Sequence, residues 1–240
     1  IGQGVNYFDT APLYGFGLSE ERLGNALSQD IRDKIIISTK VGVQLDFNKG
    51  RKCASIIRDY SRNAVLRSWQ SSLKRLKVDA LDILFIHDPD NHYTQAISEA
   101  YPTLAELRDD GLISAIGVGM NQWEMELQFA MDGDFDCFML AGRYTLLEQG
   151  ALSDFLPYCE KKGISVIIAG PYNSGVLADP YKGTYNYRDA PPEIIVKALR
   201  IKEVCDKYKT PLKAAALQFI FGHPTVVSVV PGTKSPIHQK

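Results

Sequence analysis

Asp9, Tyr14, Lys40 and His87 are the residues of this chain whose types could do chemistry together: a carboxylate, a phenol, an ammonium and an imidazole. Each stands at or just beyond the end of an apolar run. Val5, Tyr7 and Phe8 lead into Asp9, with Tyr14 in the loop behind it; Ile35-Ile36-Ile37-Ser38-Thr39 leads into Lys40; Leu81-Asp82-Ile83-Leu84-Phe85-Ile86 leads into His87. Singly, each has a structural reading: Asp9 as a turn or helix cap, Lys40 as a snorkelling or ion-paired lysine, His87 as a satisfied core group. Together they form an acid-base set, with a phenol to move a proton, a cation to favour its phenolate, an anion to hold the cation and an imidazole to orient a substrate oxygen. A free phenol has a pKa near about 10, so action near neutrality asks for a downward shift of roughly 3 units, about 4 kcal/mol, for which the lysine is the expected source.

Residues at the carboxyl ends of buried parallel strands face the mouth of an α/β barrel, and that architecture is what the rest of the chain predicts. Leu18 opens a helix with Ser19 as N-cap and Glu20 and Glu21 in its first turn. Residues 41–60 read as a longer polar, glycine-punctuated loop. Val65, Leu66, Trp69, Leu73 and Leu76 have helical spacing, as do Ala96, Ile97, Ala100, Leu104 and Leu107, the latter closed by Gly111. His92 reads as solvated. Strands follow at 113–119, 135–140, 164–169 and 226–230, and helices at 123–131, around Leu152, Phe155, Leu156 and Cys159 up to Gly163, at 194–208, and after a Thr210-Pro211 cap. Residues 179–188 read as an ordered loop over the mouth. Seven strands alternating with helices indicate a (β/α)8 TIM barrel in one domain, 1–240, with the first βα unit expected ahead of residue 1 and the end of the last one absent.

Charge and composition narrow the partners. The 27 basic and 28 acidic residues leave a net charge of −1, no electrostatic footprint for nucleic acid or an anionic membrane. No apolar run approaches the roughly 20 residues of a membrane span, and no signal-peptide core opens the chain, so a cytoplasmic protein is expected. Cys53, Cys137, Cys159 and Cys205 are scattered with no Cys-x-x-Cys pair and read as reduced thiols. Neither a metal-binding His-Glu-x-x-His helix nor a cysteine cluster occurs, and no complete Gly-x-Gly-x-x-Gly follows a strand, which disfavours a metal site and a Rossmann nucleotide site. Asp88 and Asp90 sit too close in one turn to flank a glycosidic bond from two sides.

The order and spacing of Phe8-Asp9-Thr10-Ala11, Tyr14, Gly17-Leu18-Ser19-Glu20, Leu23-Gly24, Ser38-Thr39-Lys40-Val41-Gly42 and Ile86-His87 resemble the aldo-keto reductase family over nearly the whole chain. That resemblance implies a barrel that holds a nicotinamide dinucleotide, NAD or NADP, across its strand ends, with Asp9, Tyr14, Lys40 and His87 as the catalytic set. It places Asn121 on the carboxamide, Asn173, Ser174 and Gly175 over the pyrophosphate, and Gly232, Thr233, Lys234 and Ser235 at the adenosine phosphate. Two positions depart from the pattern: Ala169 stands where many members have an aromatic under the nicotinamide, and Ala141 where many have a glutamine. Without an arginine after Lys234 to grip a 2′-phosphate, NAD is expected to serve at least as well as NADP. Arg58-Asp59-Tyr60-Ser61, Ile86-His87-Asp88-Pro89-Asp90 and Gly119-Met120-Asn121-Gln122-Trp123 resemble the branch that holds aldose 1-dehydrogenases of the L-fucose type and pyridoxal 4-dehydrogenases. The implied substrate is a small polar molecule, a sugar, pyridoxal or another aldehyde. The same barrel can also serve as a cofactor-sensing regulatory subunit, a reading that the intact four-residue set opposes.

Overall fold

A computed structural model describes residues 2, 4–46 and 55–233, the side chain of Gln29 excepted. Lys234 and Ser235 of the expected adenosine site, Cys53, and residues 47–54 of the expected loop lie outside the described residues. The chain divides into two compact units, Ile1–Met120 with Gln128–Cys137, and Asn121–Leu127 with Phe138–Lys240.

In the first unit β1 (Tyr7–Asp9), β2 (Ile36–Val41), β3 (Val43–Asp46), β4 (Ser55–Arg58), β5 (Leu81–His87) and β6 (Ile113–Met120) are joined by α1 (Leu18–Ala26), α2 (Arg62–Leu76) and α3 (Tyr101–Asp109). β1, β2, β5 and β6 are neighbours in that order and run parallel. Their register decides where the functional groups go. Asp9 pairs with Ser38, two residues before Lys40, and Lys40 pairs with Phe85, two residues before His87. Side chains two apart on a strand share a face, so Asp9, Lys40 and His87 all emerge on one side, each a step further along than the last. Behind them Ile37, Val41, Leu84, Ile86, Ile116 and Val118 are buried, as a fully covered parallel sheet requires.

The helices are bolted on by one buried acid. Glu20 is fully buried, accepts from Thr39 Oγ1 and Arg75 Nε at 2.6 Å each, and so ties α1 to β2 and to the end of α2. Burial is affordable because both carboxylate oxygens are satisfied, one of them by a guanidinium. Ser61 caps α2 through the N–H of Ala64, and Val65, Trp69 and Leu76 of the expected stripe are buried.

Three expectations change here. The N-cap of α1 lies two residues earlier than expected: it is Gly17, at φ +83, while the Ser19 hydroxyl accepts from Thr10 Oγ1 instead. A left-handed backbone favours glycine, which makes a side-chain cap unnecessary at that corner. Residues 41–60 are not a plain loop, because β3 and β4 pair antiparallel from Val43–Arg58 to Asp46–Ser55. The alternation of Val43 and Leu45 with polar neighbours and the adjacent pair Ile56-Ile57 were too short to separate from loop. His92 is half-buried, with its ring 5.2 Å from that of Tyr60.

The second unit holds the later βα alternation. α4 (Trp123–Asp132) and β7 (Cys137–Ala141) contribute to both units; α5 (Phe155–Lys162), β8 (Ser165–Ala169), β9 (Thr184–Tyr185), β10 (Arg188–Asp189), α6 (Pro192–Lys207), α7 (Leu212–Ile220) and β11 (Val226–Val230) lie in the second alone. β8 and β11 are parallel, with a register shift between Val226 and Ser228. Leu147, Val176, Leu177, Ala198, Leu212 and Ala216 form its core, and Phe138 meets Phe155 edge-on at 5.6 Å. Residues 179–188 contain a β9–β10 hairpin whose turn residues Asn186 and Tyr187 both have positive φ, as a two-residue type I′ turn demands. Leu152 is left off the helix face: it sits in a separate 3₁₀ turn and is 38% exposed. Thr210 donates to Tyr208 O instead of capping α7, whose N-cap is Pro211. Cys137, Cys159 and Cys205 are buried and form no disulfide with one another. Among the described residues no helix is long and apolar enough to cross a membrane.

Candidate active site

The expected four residues are brought together in the first unit. Lys40, 2% exposed, places its Nζ 2.6 and 2.8 Å from the two Asp9 oxygens and 2.8 Å from the Thr10 carbonyl. Its three protons are therefore directed, and the ammonium lies 4.9 Å from the centre of the Tyr14 ring. Burial works against the Lys40 charge, but Asp9 first and then Tyr14 outweigh it, so its pKa stands above the ordinary lysine value.

Asp9 is oriented in turn. The Ser38 hydroxyl donates to Asp9 Oδ1 at 2.6 Å, and the Tyr7 hydroxyl lies 2.8 Å from Ser38 Oγ. Ser38 has one proton and gives it to Asp9, so Tyr7 must be the donor in the second bond. The chain Tyr7 to Ser38 to Asp9 thus has one direction and fixes the carboxylate that fixes the lysine. Burial and the nearby Asp9 charge hold the Tyr7 pKa well above that of a free phenol, which keeps it a donor.

Tyr14 departs from expectation. Its pKa is raised: burial raises it most, Lys40 lowers it, and Asp9 raises it again. The lysine acts in the expected direction, but desolvation of the phenolate wins. Tyr14 therefore carries its proton near neutrality, although 40% of the residue is exposed.

His87 is 6% exposed, edge-on to Tyr14 with ring centroids 6.1 Å apart. Burial, then Lys40 and Arg58, push its pKa down to about 3. The ring is neutral, and its tautomer follows from its neighbours. Nδ1 is buried without a hydrogen-bond partner, while Nε2 lies 3.7 Å from Asp88 Oδ2. A proton facing a carboxylate is favoured over one facing nothing, so Nε2 carries the hydrogen.

Two residues outside the expected set belong to this site. The buried Tyr60 hydroxyl lies 2.7 Å from both the His87 and the Asp88 carbonyls and donates between them. It holds Asp88 at φ +43, and Asp88 N–H donates to Gly119 O at 3.0 Å. Gly42, at φ +94, makes room for that ring, since a Cβ there would come within 2.2 Å of it. Tyr60 and Asp88 lie in the stretches Arg58-Asp59-Tyr60-Ser61 and Ile86-His87-Asp88-Pro89-Asp90 that resemble one branch of the family, but taken by itself an aromatic beside a loop is more often packing than machinery.

The nicotinamide candidates lie in the second unit. Asn121 donates one amide proton to Ala141 O at 2.8 Å, and the rest of its amide has no partner among the described residues. That fits an amide left to hydrogen-bond a carboxamide. Asn173 is 3% exposed and engaged at both ends of its amide: its Oδ1 accepts from Thr145 Oγ1 at 2.6 Å and its Nδ2 donates one proton to Gly142 O at 2.9 Å. Its N–H and that of Gly175 close the 170–175 turn onto Gly170 O and Tyr172 O. Ser174 keeps two donors, its N–H and its hydroxyl proton, while its Oγ accepts from Tyr187 N. Gly232 and Thr233 follow β11. Among the described residues no three metal-ligating side chains gather.

The Aldo/keto reductase family profile matches residues 1–239. A pyridoxal 4-dehydrogenase of Microbacterium luteolum is 37% identical over 97% of this chain and 77% of its own length, and a D-threo-aldose 1-dehydrogenase of a Pseudomonas species is 36% identical over 97% and 76%. Among solved structures, a glycerol dehydrogenase from Gluconobacter oxydans superposes with a TM-score of 0.76 at 25% identity, covering 96% of this chain and 73% of its own. An aldo-keto reductase from Bacillus halodurans superposes at 0.80 and 25%, covering 99% and 75%. The chain belongs to the aldo/keto reductase family, built on its TIM barrel fold, and is an oxidoreductase that works with a nicotinamide cofactor on a small molecule.

Proposed function

We propose that this chain, as a single catalytic domain over 1–240, interconverts a hemiacetal or alcohol carbon and its carbonyl, with oxidation of an aldose at its anomeric carbon as the favoured reaction and oxidation of pyridoxal as the second. The observation that carries the reading is the oriented set of Tyr14, Lys40 and Asp9 beside a neutral His87. The two dehydrogenase names at 36–37% identity support the substrate class.

A bound NAD or NADP accepts or supplies the hydride, and Asn121, Ser174 and the residues after β11 would hold it, Gly232, Thr233, Lys234 and Ser235 being proposed on the resemblance. The chain's own residues manage the proton and the oxygen. Nε2 of His87 donates to the substrate oxygen, which a neutral imidazole does without adding charge. Tyr14 gives its proton to that oxygen in reduction and takes the hydroxyl proton as phenolate in oxidation. Lys40 lowers the cost of that phenolate, and Asp9 keeps Lys40 in place. The protonated resting phenol suits reduction directly, and oxidation should draw on the alkaline side of neutrality.

Initial rates with L-fucose, other aldoses, pyridoxal and simple aldehydes, each with both cofactors, test the proposal. An aldose or pyridoxal turned over at least tenfold more efficiently than simple aldehydes supports it, and simple aldehydes as the best substrates would contradict it.

A further inference from the structure

We propose that Asp88 is a specificity-determining substrate contact, its carboxylate accepting a hydrogen bond from a hydroxyl on the carbon next to the reacting one. This rests on the reading of His87 as the group that receives the substrate oxygen.

Three observations converge. Asp88 Oδ2 lies 3.7 Å from His87 Nε2, the atom that carries the donor proton. A third of the Asp88 side chain is exposed, at 33%, whereas the neighbouring His87 side chain is 8% exposed. The carboxylate is thus the open acceptor beside the buried donor. The corner is also built: Tyr60 holds the backbone carbonyls of both residues, and Asp88 N–H is anchored on β6. A loop aspartate left to solvent needs no such brace.

The spacing selects a ligand. An oxygen hydrogen-bonded to Nε2 sits about 3 Å from it, and oxygens on adjacent carbons are themselves separated by about one hydrogen-bond length. A vicinal pair can therefore span from His87 to Asp88, one oxygen accepting from the imidazole and the other donating to the carboxylate. A substrate with no neighbouring hydroxyl leaves that carboxylate without a partner while displacing its water, which is the arrangement that discriminates most strongly. Aldoses carry such a hydroxyl at C2.

The charges facing Asp88 tune this contact. Burial and then Asp90 raise its pKa to about 6, against the lowering pull of Arg58 and Lys40; Tyr14, the neutral His87 and Tyr60, a phenol whose own pKa is raised by burial, also face it. An acid with its pKa raised is deprotonated only above that value, so the preference should be full above pH 7 and fade as the pH falls through about 6.

The test uses pairs that differ by one hydroxyl: glycolaldehyde against acetaldehyde, and an aldose against its 2-deoxy form. In Asp88→Asn, which keeps the size and the tolerance of positive φ but removes the charge, the ratio of kcat/KM within each pair should fall by about tenfold or more, and in the wild type it should fall on acidification past pH 6. A ratio that stays within twofold of wild type overturns the proposal. Binding of propane-1,2-diol against propan-1-ol, read by ligand-observed NMR on both chains, gives the same ratio without turnover. Loss of the diol preference in Asp88→Asn supports the contact and its retention removes it. Failure of the hydride-transfer reading would show separately, as no oxidation or reduction of either nicotinamide by the wild type.

Discussion

The Lys40 ammonium stands 4.9 Å from the centre of the Tyr14 ring, with its protons already committed to Asp9 and the Thr10 carbonyl. The lysine is thus not free to neutralise whatever arrives. It is a fixed positive charge set beside the phenol. Lys40 lowers the Tyr14 pKa and Tyr14 raises that of Lys40, the two halves of one attraction. Burial of the phenol is the larger influence at rest, so the pair holds a proton ready on Tyr14 and makes its departure less costly than the burial alone would allow.

Tyr14→Phe should lower kcat by about 100-fold or more in both directions, since a positioned acid-base group contributes roughly 10²–10⁴. Cofactor affinity, read by fluorescence titration, should barely change. A Phe variant within threefold of wild-type kcat would mean that another group moves the proton.

His87 should stay neutral far below the ordinary histidine range. Its folded pKa is about 3 against about 6.5 in the unfolded chain. The depressed value means that its contribution to stability is present above about pH 6.5 and is lost as the pH falls toward 3, because the unfolded chain takes up a proton that the fold refuses. At pH 5 the loss is about 2 kcal/mol on this scale. Urea unfolding of wild type and His87→Gln from pH 8 to pH 5 checks it: the wild type should lose its lead as the pH falls, while parallel curves would place the histidine charge elsewhere.

Tyr60→Phe removes one hydroxyl from beneath two carbonyls, both left short of a donor. Destabilisation of about 1–3 kcal/mol is expected. KM should rise more than kcat falls, since Tyr14 and Lys40 are untouched and the corner that meets the substrate loosens. Unchanged KM together with unchanged unfolding free energy would show the bond to be idle.

The expected parallel strands and the four polar endings were legible because buried strands are long apolar runs and a charge that closes one is conspicuous. Asp9, Lys40 and His87 fell on one face through register, which the sequence pattern implies once the strands are parallel. Cap positions were less legible: Gly17 holds the helix start that Ser19 advertised more strongly, and of the Thr210-Pro211 pair it is Pro211 that stands at the N-cap. The β3–β4 arm was hidden by its shortness, and with it the reason for Tyr60. Asn173 shows a different limit. Its place in a glycine-rich turn suggested a ligand contact, yet both ends of its amide brace the turn itself, something set by Thr145 and Gly142 some thirty residues away. The Tyr14 pKa was misjudged for an energetic reason: charge partners can be read from residue types, while desolvation cannot.

The most direct test of the central claim, that Lys40 acts on the proton of Tyr14, is the pH dependence of kcat for oxidation in wild type and Lys40→Met. The substitution leaves a buried carboxylate unpaired, which can cost about 3–5 kcal/mol, so Asp9→Asn with Lys40→Met is measured beside it. In wild type kcat should rise with pH as Tyr14 ionises. In both variants the rise should move to higher pH, because the charge that lowers the phenol's pKa is gone, and the rate near neutrality should drop accordingly. Profiles that superimpose on wild type after scaling would reduce Lys40 to a structural partner of Asp9 and contradict the account.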